Sequence, residues 1–261
     1  MDKMQNQGTP QLSVVIITRN EAHNIEACLS GLRNFPEVLV IDNGSTDSTA
    51  ERAQNFANTR VLHSDWKGYG ATRQIGVDAA RNDWILWIDA DERMTQELEF
   101  EIRALIATAP PHVILSIPRR NYFLGQHIRG CGWSPDRVLR VFNRKQTTFD
   151  NKAVHEGLLS QSDRRVIRLK SPLDHHSYIN IKQFFDKNLR YALLAAEERA
   201  RVNRTVQSWE LPLRPIWEFF RSYILRRGFL DGLRGLIISA GAAIYVFSRD
   251  TTRYFEDKSK R

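Results

Sequence analysis

The runs Leu12-Ser13-Val14-Val15-Ile16-Ile17, Val38-Leu39-Val40-Ile41 and Trp84-Ile85-Leu86-Trp87-Ile88 carry no charge on either face. A strand with one wet face alternates apolar and polar residues. Strands apolar at nearly every position are buried on both sides, the condition of a mostly parallel sheet covered by helices. The intervening segments fit. Glu21 to Leu32 has Ile25, Leu29 and Leu32 at helical spacing. A helix running to Phe56 follows the turn Asn43-Gly44-Ser45-Thr46-Asp47, with Ser45 or Thr46 as its expected cap. Gly70 to Ala80 and Thr95 to Ile106 read as further helices, the latter capped by Thr95. Arg60 to His63 and Val113 to Ile117 read as further strands. The expected class is α/β.

In such sheets ligands bind beyond the C-terminal ends of the strands. Polar groups stand at four of those ends: Thr18-Arg19-Asn20-Glu21, Asp42-Asn43, Ser64-Asp65 and Asp89-Ala90-Asp91. The step of two puts the Asp89 and Asp91 carboxylates on one side of an extended chain. Two hard oxygen donors so placed suit Mg²⁺ or Mn²⁺ against a diphosphate. The competing reading is a pair of acids solvating a turn. Neither GxGxxG nor GxxxxGK[ST] occurs, so a dinucleotide fingerprint and a Walker-type loop are both missing. Lys67-Gly68-Tyr69-Gly70, ahead of a helix, either admits a phosphate to backbone amides or is an ordinary loop.

The 261 residues are 42% apolar and 26% charged, enough for a sizeable core. Cys28 and Cys131 form no CxxC pair, so neither a disulfide framework nor a zinc site is indicated. The chain is polar up to Gln11 and shows no signal peptide pattern. Of the net charge of +8, residues 199–261 carry +7. Ile179 to Val202 reads as one long helix, and Pro212 and Pro215 are expected to break the chain ahead of the next. Ile216 to Arg227 mixes aromatics with arginines, and Leu236 to Phe247 is apolar for twelve residues. That run is shorter than the ~20 residues of a span and suits a helix lying in a membrane interface. A buried helical pair is the plainer alternative. Nucleic acid is disfavoured because no recognised binding module occurs. The expected boundaries are an N-terminal arm at 1–11, a catalytic domain at 12–177 (nucleotide-sugar part about 12–110, acceptor part about 111–177), and a helical, amphipathic, membrane-associating region at 178–261.

Four segments together resemble the family 2 glycosyltransferases of GT-A fold, a Rossmann-like nucleotide-diphospho-sugar transferase domain. They are Val14-Val15-Ile16-Ile17-Thr18-Arg19-Asn20-Glu21, Val40-Ile41-Asp42-Asn43-Gly44-Ser45-Thr46-Asp47, Gly70-Ala71-Thr72-Arg73-Gln74-Ile75-Gly76 and Ile88-Asp89-Ala90-Asp91, the last matching the family's DXD element. Three later segments resemble the lipopolysaccharide-core glucosyltransferase branch, the WaaE/KdtX-like proteins. These are Trp133-Ser134-Pro135-Asp136-Arg137-Val138-Leu139-Arg140-Val141-Phe142, Val154-His155-Glu156 and Gly228-Phe229-Leu230-Asp231-Gly232.

The resemblance implies roles. Asp42 would contact the uracil or ribose of a sugar nucleotide, with Thr18 and Glu21 lining the same pocket. Asn43 stands where many members have a second Asp, which leaves the choice of nucleobase open. Arg73 is a candidate for phosphate contact, Asp89 for the ribose or metal shell, and Asp91 for the metal itself. His175 or His176 is a candidate late ligand to metal or diphosphate. Inverting transfer needs a carboxylate to take the acceptor hydroxyl's proton. Glu156 is the first candidate, Asp136 the second, and Glu92 either a third or an organiser of its loop. A Glu156 salt-bridged to Arg137 or Arg140 is the structural alternative. Trp133 is either a sugar-stacking platform or a core residue.

The implied enzyme is an inverting, metal-dependent hexosyltransferase using Mg²⁺ or Mn²⁺. It would move glucose from UDP-glucose to the heptose region of the lipopolysaccharide inner core, at the cytoplasmic face of the bacterial inner membrane. A polyprenyl phosphate or other surface-glycan acceptor is the nearest alternative. A non-catalytic sugar-nucleotide-binding or membrane-scaffold protein is the alternative from another class.

Overall fold

The computed structural model describes residues 11–149, 158–160 and 165–259. The chain divides into two compact units, Met1–Arg119 with Arg137–His175, and Arg120–Asp136 with His176–Arg261.

In the first unit the chain runs β1 (Leu12–Thr18), α1 (Ile25–Ser30), β2 (Glu37–Asp42), α2 (Thr49–Gln54), β3 (Thr59–His63), α3 (Tyr69–Ala79), β4 (Trp84–Asp89), β5 (Glu92–Arg93) and α4 (Gln96–Ile106). The later strands are β6 (Val113–Phe123), β7 (Gln126–His127), β8 (Asp136–Asn143), β9 (Thr147–Phe149), β10 (Leu158–Ser160), β11 (Arg165–Arg168) and β12 (Leu173–Tyr178). The sheet order is β3-β2-β1-β4-β8-β6-β12-β5, and its first four strands are all parallel. β8 then runs antiparallel to β4, and a second short sheet pairs β9 with β10. The sheet is therefore mixed rather than mostly parallel throughout.

Both faces of the parallel strands are covered, as their uncharged sequences require. Val14, Ile16, Val38, Val40, Leu86 and Ile88 pack with Ile25, Leu29, Leu98 and Ile102. The alternate residues Val15, Leu39, Ile41 and Ile85 pack on the other side with Val77, Phe142 and Phe149. Gly76 of α3 permits this approach, since a Cβ there would lie 2.4 Å from Cγ1 of Val15. Gly76→Ala is expected to destabilise the fold by ~1–3 kcal/mol, seen as a lower urea midpoint at unchanged m-value.

Helix starts depart from expectation where polar side chains are otherwise engaged. Neither Ser45 nor Thr46 caps α2. The Ser45 hydroxyl bonds to Asp42, and the helix begins at Thr49, whose N–H donates to Asp47 Oδ1 at 3.0 Å. α1 is shorter than the expected Glu21–Leu32, because Glu21 to Asn24 form a turn in which the N–H groups of Asn24 and Ile25 donate to the Glu21 carbonyl. Thr95 does cap α4, accepting from the Leu98 N–H at 3.2 Å.

The second unit contains the hairpin formed by the end of β6 with β7, where Tyr122 pairs with His127. Three long helices follow: α5 (Ile181–Arg201), α6 (Glu210–Phe220) and α7 (Gly232–Ser259). A π turn at Arg221–Leu225 and a 3-10 turn at Gly228–Asp231 join the last two. Phe123, Ile128, Cys131, Phe184 and Ile238 form its core. α6 begins before both prolines rather than after them. Pro212 lies in the first turn, where its missing N–H is not needed, and Pro215 is accommodated inside the helix. α7 continues well past the apolar run that ends at Phe247. The Gly228–Gly232 segment has a packing role. Asp231 accepts from the N–H groups of Arg129 and Gly130 at 3.0 and 2.7 Å, and a Cβ on Gly235 would lie 1.8 Å from the Gly228 carbonyl oxygen.

Candidate active site

β1 is followed outward on one side by β2 and β3, and on the other by β4. The chain order reverses between β1 and β4, the crevice where ligands of open α/β sheets bind. Register brings the polar strand ends level. Thr18 pairs with Asp42, Asp42 with His63, and Ile17 with Asp89.

The two loops on the β1–β2 side are laced together. Asn20, at φ +57°, accepts from the Thr46 N–H at 2.8 Å, and its own N–H donates to Ser45 Oγ at 2.9 Å. The N–H of Glu21 donates to Thr49 Oγ1 at 2.8 Å, and that of Ala22 to Asp47 at 3.2 Å. The Glu21 carboxylate accepts from Asn24 Nδ2 at 2.9 Å. Thr18 is buried, and its hydroxyl has no hydrogen-bond partner among the described residues. Asp42 is also buried. Its carboxylate accepts from Ser45 N–H at 3.2 Å and lies 3.2 Å from His63 Nδ1, whose side chain is 68% exposed. The side chain of Asn43 donates to the Ser64 carbonyl at 3.1 Å and its N–H to the Thr18 carbonyl at 3.0 Å. It binds three strand ends together, a task a second Asp would not do in the same way because a carboxylate has no N–H.

The β4 side is a charge cluster. Asp89 accepts from Arg73 Nη2 on one oxygen at 3.0 Å and from Arg140 Nη2 on the other at 2.9 Å. Arg140 Nη2 also donates to Glu92 at 2.6 Å, and Arg119 Nη1 lies 3.5 Å from the same oxygen. The second Glu92 oxygen accepts from the Asp89 N–H at 2.9 Å. Arg73, Arg140 and Glu92 are all buried. Both guanidiniums lie over the Trp87 ring, at 3.9 and 3.7 Å from its centroid. Burial pushes the Asp89 carboxyl up, but Arg140 and Arg73 outweigh it and hold the group well below the ordinary carboxylate range. Burial pushes the Glu92 carboxyl up, with Arg140 opposing and Asp89 adding to the rise.

Asp91 stands apart from these arginines, with its Oδ2 3.4 Å from Nε2 of His175. The approach comes from the antiparallel pairing of β5 with β12, which sets His175 opposite Glu92. Asp91 and His175 together offer one oxygen and one nitrogen donor. Among the described residues no group of three or more His, Cys, Asp or Glu is arranged to hold a metal. A divalent cation that draws its remaining ligands from phosphate oxygens and water needs only one or two protein donors, and this pair fits that requirement.

The remaining candidates lie elsewhere. Glu156 and His155 fall outside the described residues. Within the second unit, Asp136 accepts from Asn121 Nδ2 at 3.0 Å, and the same nitrogen donates to the Trp133 carbonyl at 2.9 Å. Trp133 packs against Phe123 and Tyr178, and His176 stacks on Tyr122 at 4.6 Å. Arg137, one expected partner of Glu156, donates to the carbonyls of Ser116 and Leu169 at 3.0 and 2.6 Å. Arg140 is the residue whose place sequence reasoning missed. Its signal was an arginine flanked by Val138, Leu139, Val141 and Phe142, a cation inside the apolar stretch of β8.

The glycosyl transferase family 2 model matches residues 13–166. A lipopolysaccharide core biosynthesis glycosyltransferase, LpsC of Rhizobium meliloti (strain 1021), is 28% identical over 246 residues, covering 90% of this chain and 89% of the relative. A glycosyltransferase of Rickettsia bellii is 28% identical over 251 residues, covering 92% and 84%. Among solved structures, the mannosyltransferase PcManGT of Pyrobaculum calidifontis, in complex with GDP-Man and Mn²⁺, superposes with a TM-score of 0.51 at 16% identity, covering 90% of this chain and 74% of that one. The fold is GT-A, and the chain belongs to glycosyltransferase family 2.

Proposed function

We propose that this glycosyltransferase is an inverting enzyme that moves a hexose, glucose from UDP-glucose, to the heptose region of a lipopolysaccharide inner core. One observation carries the nucleotide-sugar part of the reading. Thr18, Asp42, Asp89 and Asp91 stand at or just past the C-terminal ends of three adjacent parallel strands, around the point where strand order reverses. The lipopolysaccharide-core part is supported by the relative named for lipopolysaccharide core biosynthesis, and the choice of glucose and of the heptose region rests on the resemblance of the later segments alone.

Each residue then has a task. Asp42 would take a hydrogen bond from the donor's base or ribose once the exposed His63 ring moves off its carboxylate. Arg73 and Arg140 hold Asp89 ionised and fixed, so Asp89 sets the shape of the β4 end. Asp91 and His175 would hold Mg²⁺ or Mn²⁺. When bound, that cation supplies positive charge to the departing nucleoside diphosphate. No protein acid is required on the leaving side, because the diphosphate is already a stable anion. A carboxylate must accept the proton of the attacking hydroxyl, and Glu156 is the proposed base, with Asp136 the next candidate. An acceptor carried on lipid A would place the enzyme at the cytoplasmic face of the inner membrane, in keeping with the +7 charge of residues 199–261.

The test is incubation with a panel of nucleotide sugars and truncated core lipids, followed by linkage analysis of the product. Glucose on a core heptose is the expected result; transfer only to polyprenyl phosphate, or donor binding with no transfer to any acceptor, would overturn it. Glu156→Gln is expected to keep donor affinity while lowering turnover by roughly 100-fold or more. Full activity in that variant would move the base to Asp136 or to another carboxylate.

A further inference from the structure

Helix α6 is amphipathic with its apolar side outward. Trp209, Leu213, Ile216, Trp217 and Phe220 are 42–65% exposed. Their spacing of four, three, one and three residues puts them along one face of a helix. The charged residues of the same helix point the other way. Glu210 is buried and pairs with Arg214, which also donates to the fully buried Asp250 at 3.3 Å. Arg199 and Arg249 reach the same carboxylate at 2.5 and 2.7 Å. A helix on a protein surface facing water has the opposite arrangement.

The outward stripe continues through Ile224, Leu225, Phe229, Leu230 and Leu233, all large and exposed. A contiguous apolar surface of this kind marks an interaction site. Its border chooses the partner. Arg226 and Arg227 adjoin it, are exposed, and make no ion pair among the described residues. They stand in a segment whose net charge is +7, so the complementary surface is anionic. The stripe carries two tryptophans, side chains that favour the boundary between hydrocarbon and water. α7 is long and apolar enough by composition to cross a membrane. It packs along both α5 and α6, however, and holds Asp250 with its arginines in the interior of the helical unit.

We infer that α6 and the turn after it lie in the headgroup layer of an anionic bilayer, with the Trp209–Phe220 stripe toward the hydrocarbon and Arg226 and Arg227 on lipid phosphates. This deepens, and rests on, the membrane placement proposed above. From Trp209 to Ile224 the stripe is about 22 Å long at helical rise, too short to cross the ~30 Å core but well suited to lying in its plane.

The test uses the full chain and vesicles of phosphatidylethanolamine with phosphatidylglycerol, or of phosphatidylcholine alone. Wild type is expected to float with the anionic vesicles and not with the neutral ones. The double variant Ile216→Glu, Trp217→Glu is expected to bind at least tenfold less, with an unchanged circular dichroism spectrum and unchanged transfer to a delipidated acceptor. Phe100→Glu, at an exposed site of the first unit, is the control and is expected to bind as wild type. Wild-type binding that survives the double substitution would overturn this assignment while leaving the membrane placement standing. A wild type that ignores anionic vesicles would overturn both. A wild-type dimer that the double variant converts to monomer, without vesicle binding, would make the face a contact between copies instead.

Discussion

Arg140→Met is expected to lower the unfolding free energy by about 3–5 kcal/mol. The arginine is buried and is shared between Asp89 and Glu92, the second of which has no exposed surface. Removing the cation leaves Glu92, among the described residues, with the Asp89 N–H bond and the longer contact to Arg119, and leaves one Asp89 oxygen without its arginine partner. A buried charge deprived of its partner costs far more than the pair contributed, because desolvation is not recovered. Urea denaturation of wild type and variant measures the change. Arg81→Met is the contrast. Arg81 is largely exposed beside Glu37, and its loss is expected to cost less than ~1 kcal/mol. The same cluster makes an acid prediction. The Asp89 carboxyl sits below its unfolded value near ~3.9. Its pairing therefore stabilises the fold above about pH 4, and this is lost as the pH falls further. Arg140→Met should shift acid unfolding to higher pH. An unchanged acid midpoint would mean that the cluster contributes nothing to stability.

Asp91→Asn is expected to reduce turnover on the order of 100-fold with little change in stability. The side chain is partly exposed, and its Oδ2 lies 3.4 Å from the His175 ring, whereas Arg73 and Arg140 are engaged by Asp89. The amide keeps the shape and loses the anionic oxygen that a divalent cation needs. Steady-state rates across a Mn²⁺ titration, together with a thermal melt of the same sample, separate loss of function from loss of fold. Wild-type turnover in Asp91→Asn would remove Asp91 from the reaction and send the search to other donors. His175→Gln, tested alongside, is expected to raise the Mn²⁺ concentration needed for half-maximal rate.

Much of the first unit was legible residue by residue. The runs at β1, β2 and β4 lack charge on both faces, and only a sheet covered on both faces satisfies that. Their polar C-terminal residues follow from the same logic. The ends of α1 and α2 were not legible, because Asn20, Ser45, Asp47 and Thr49 bond across two loops that lie more than twenty residues apart. Local propensity cannot register a partner at that distance. Nor did proline stop α6 from starting early, since a first turn has spare N–H groups to lose.

Sequence alone determined that four strand ends bear polar groups and that the C-terminal quarter is basic and aromatic-rich. Tertiary structure alone decided which charges are tied into the buried arginine cluster and which stand outside it. Asp89 and Asp91 look equivalent along the chain, yet Arg140 closes on the first and His175 on the second, from strands 51 and 84 residues away. It also decided which side of α6 meets the surroundings. Helical periodicity sorts residues onto faces, but only the packing of Arg214 on Asp250 shows that the polar face is the inner one.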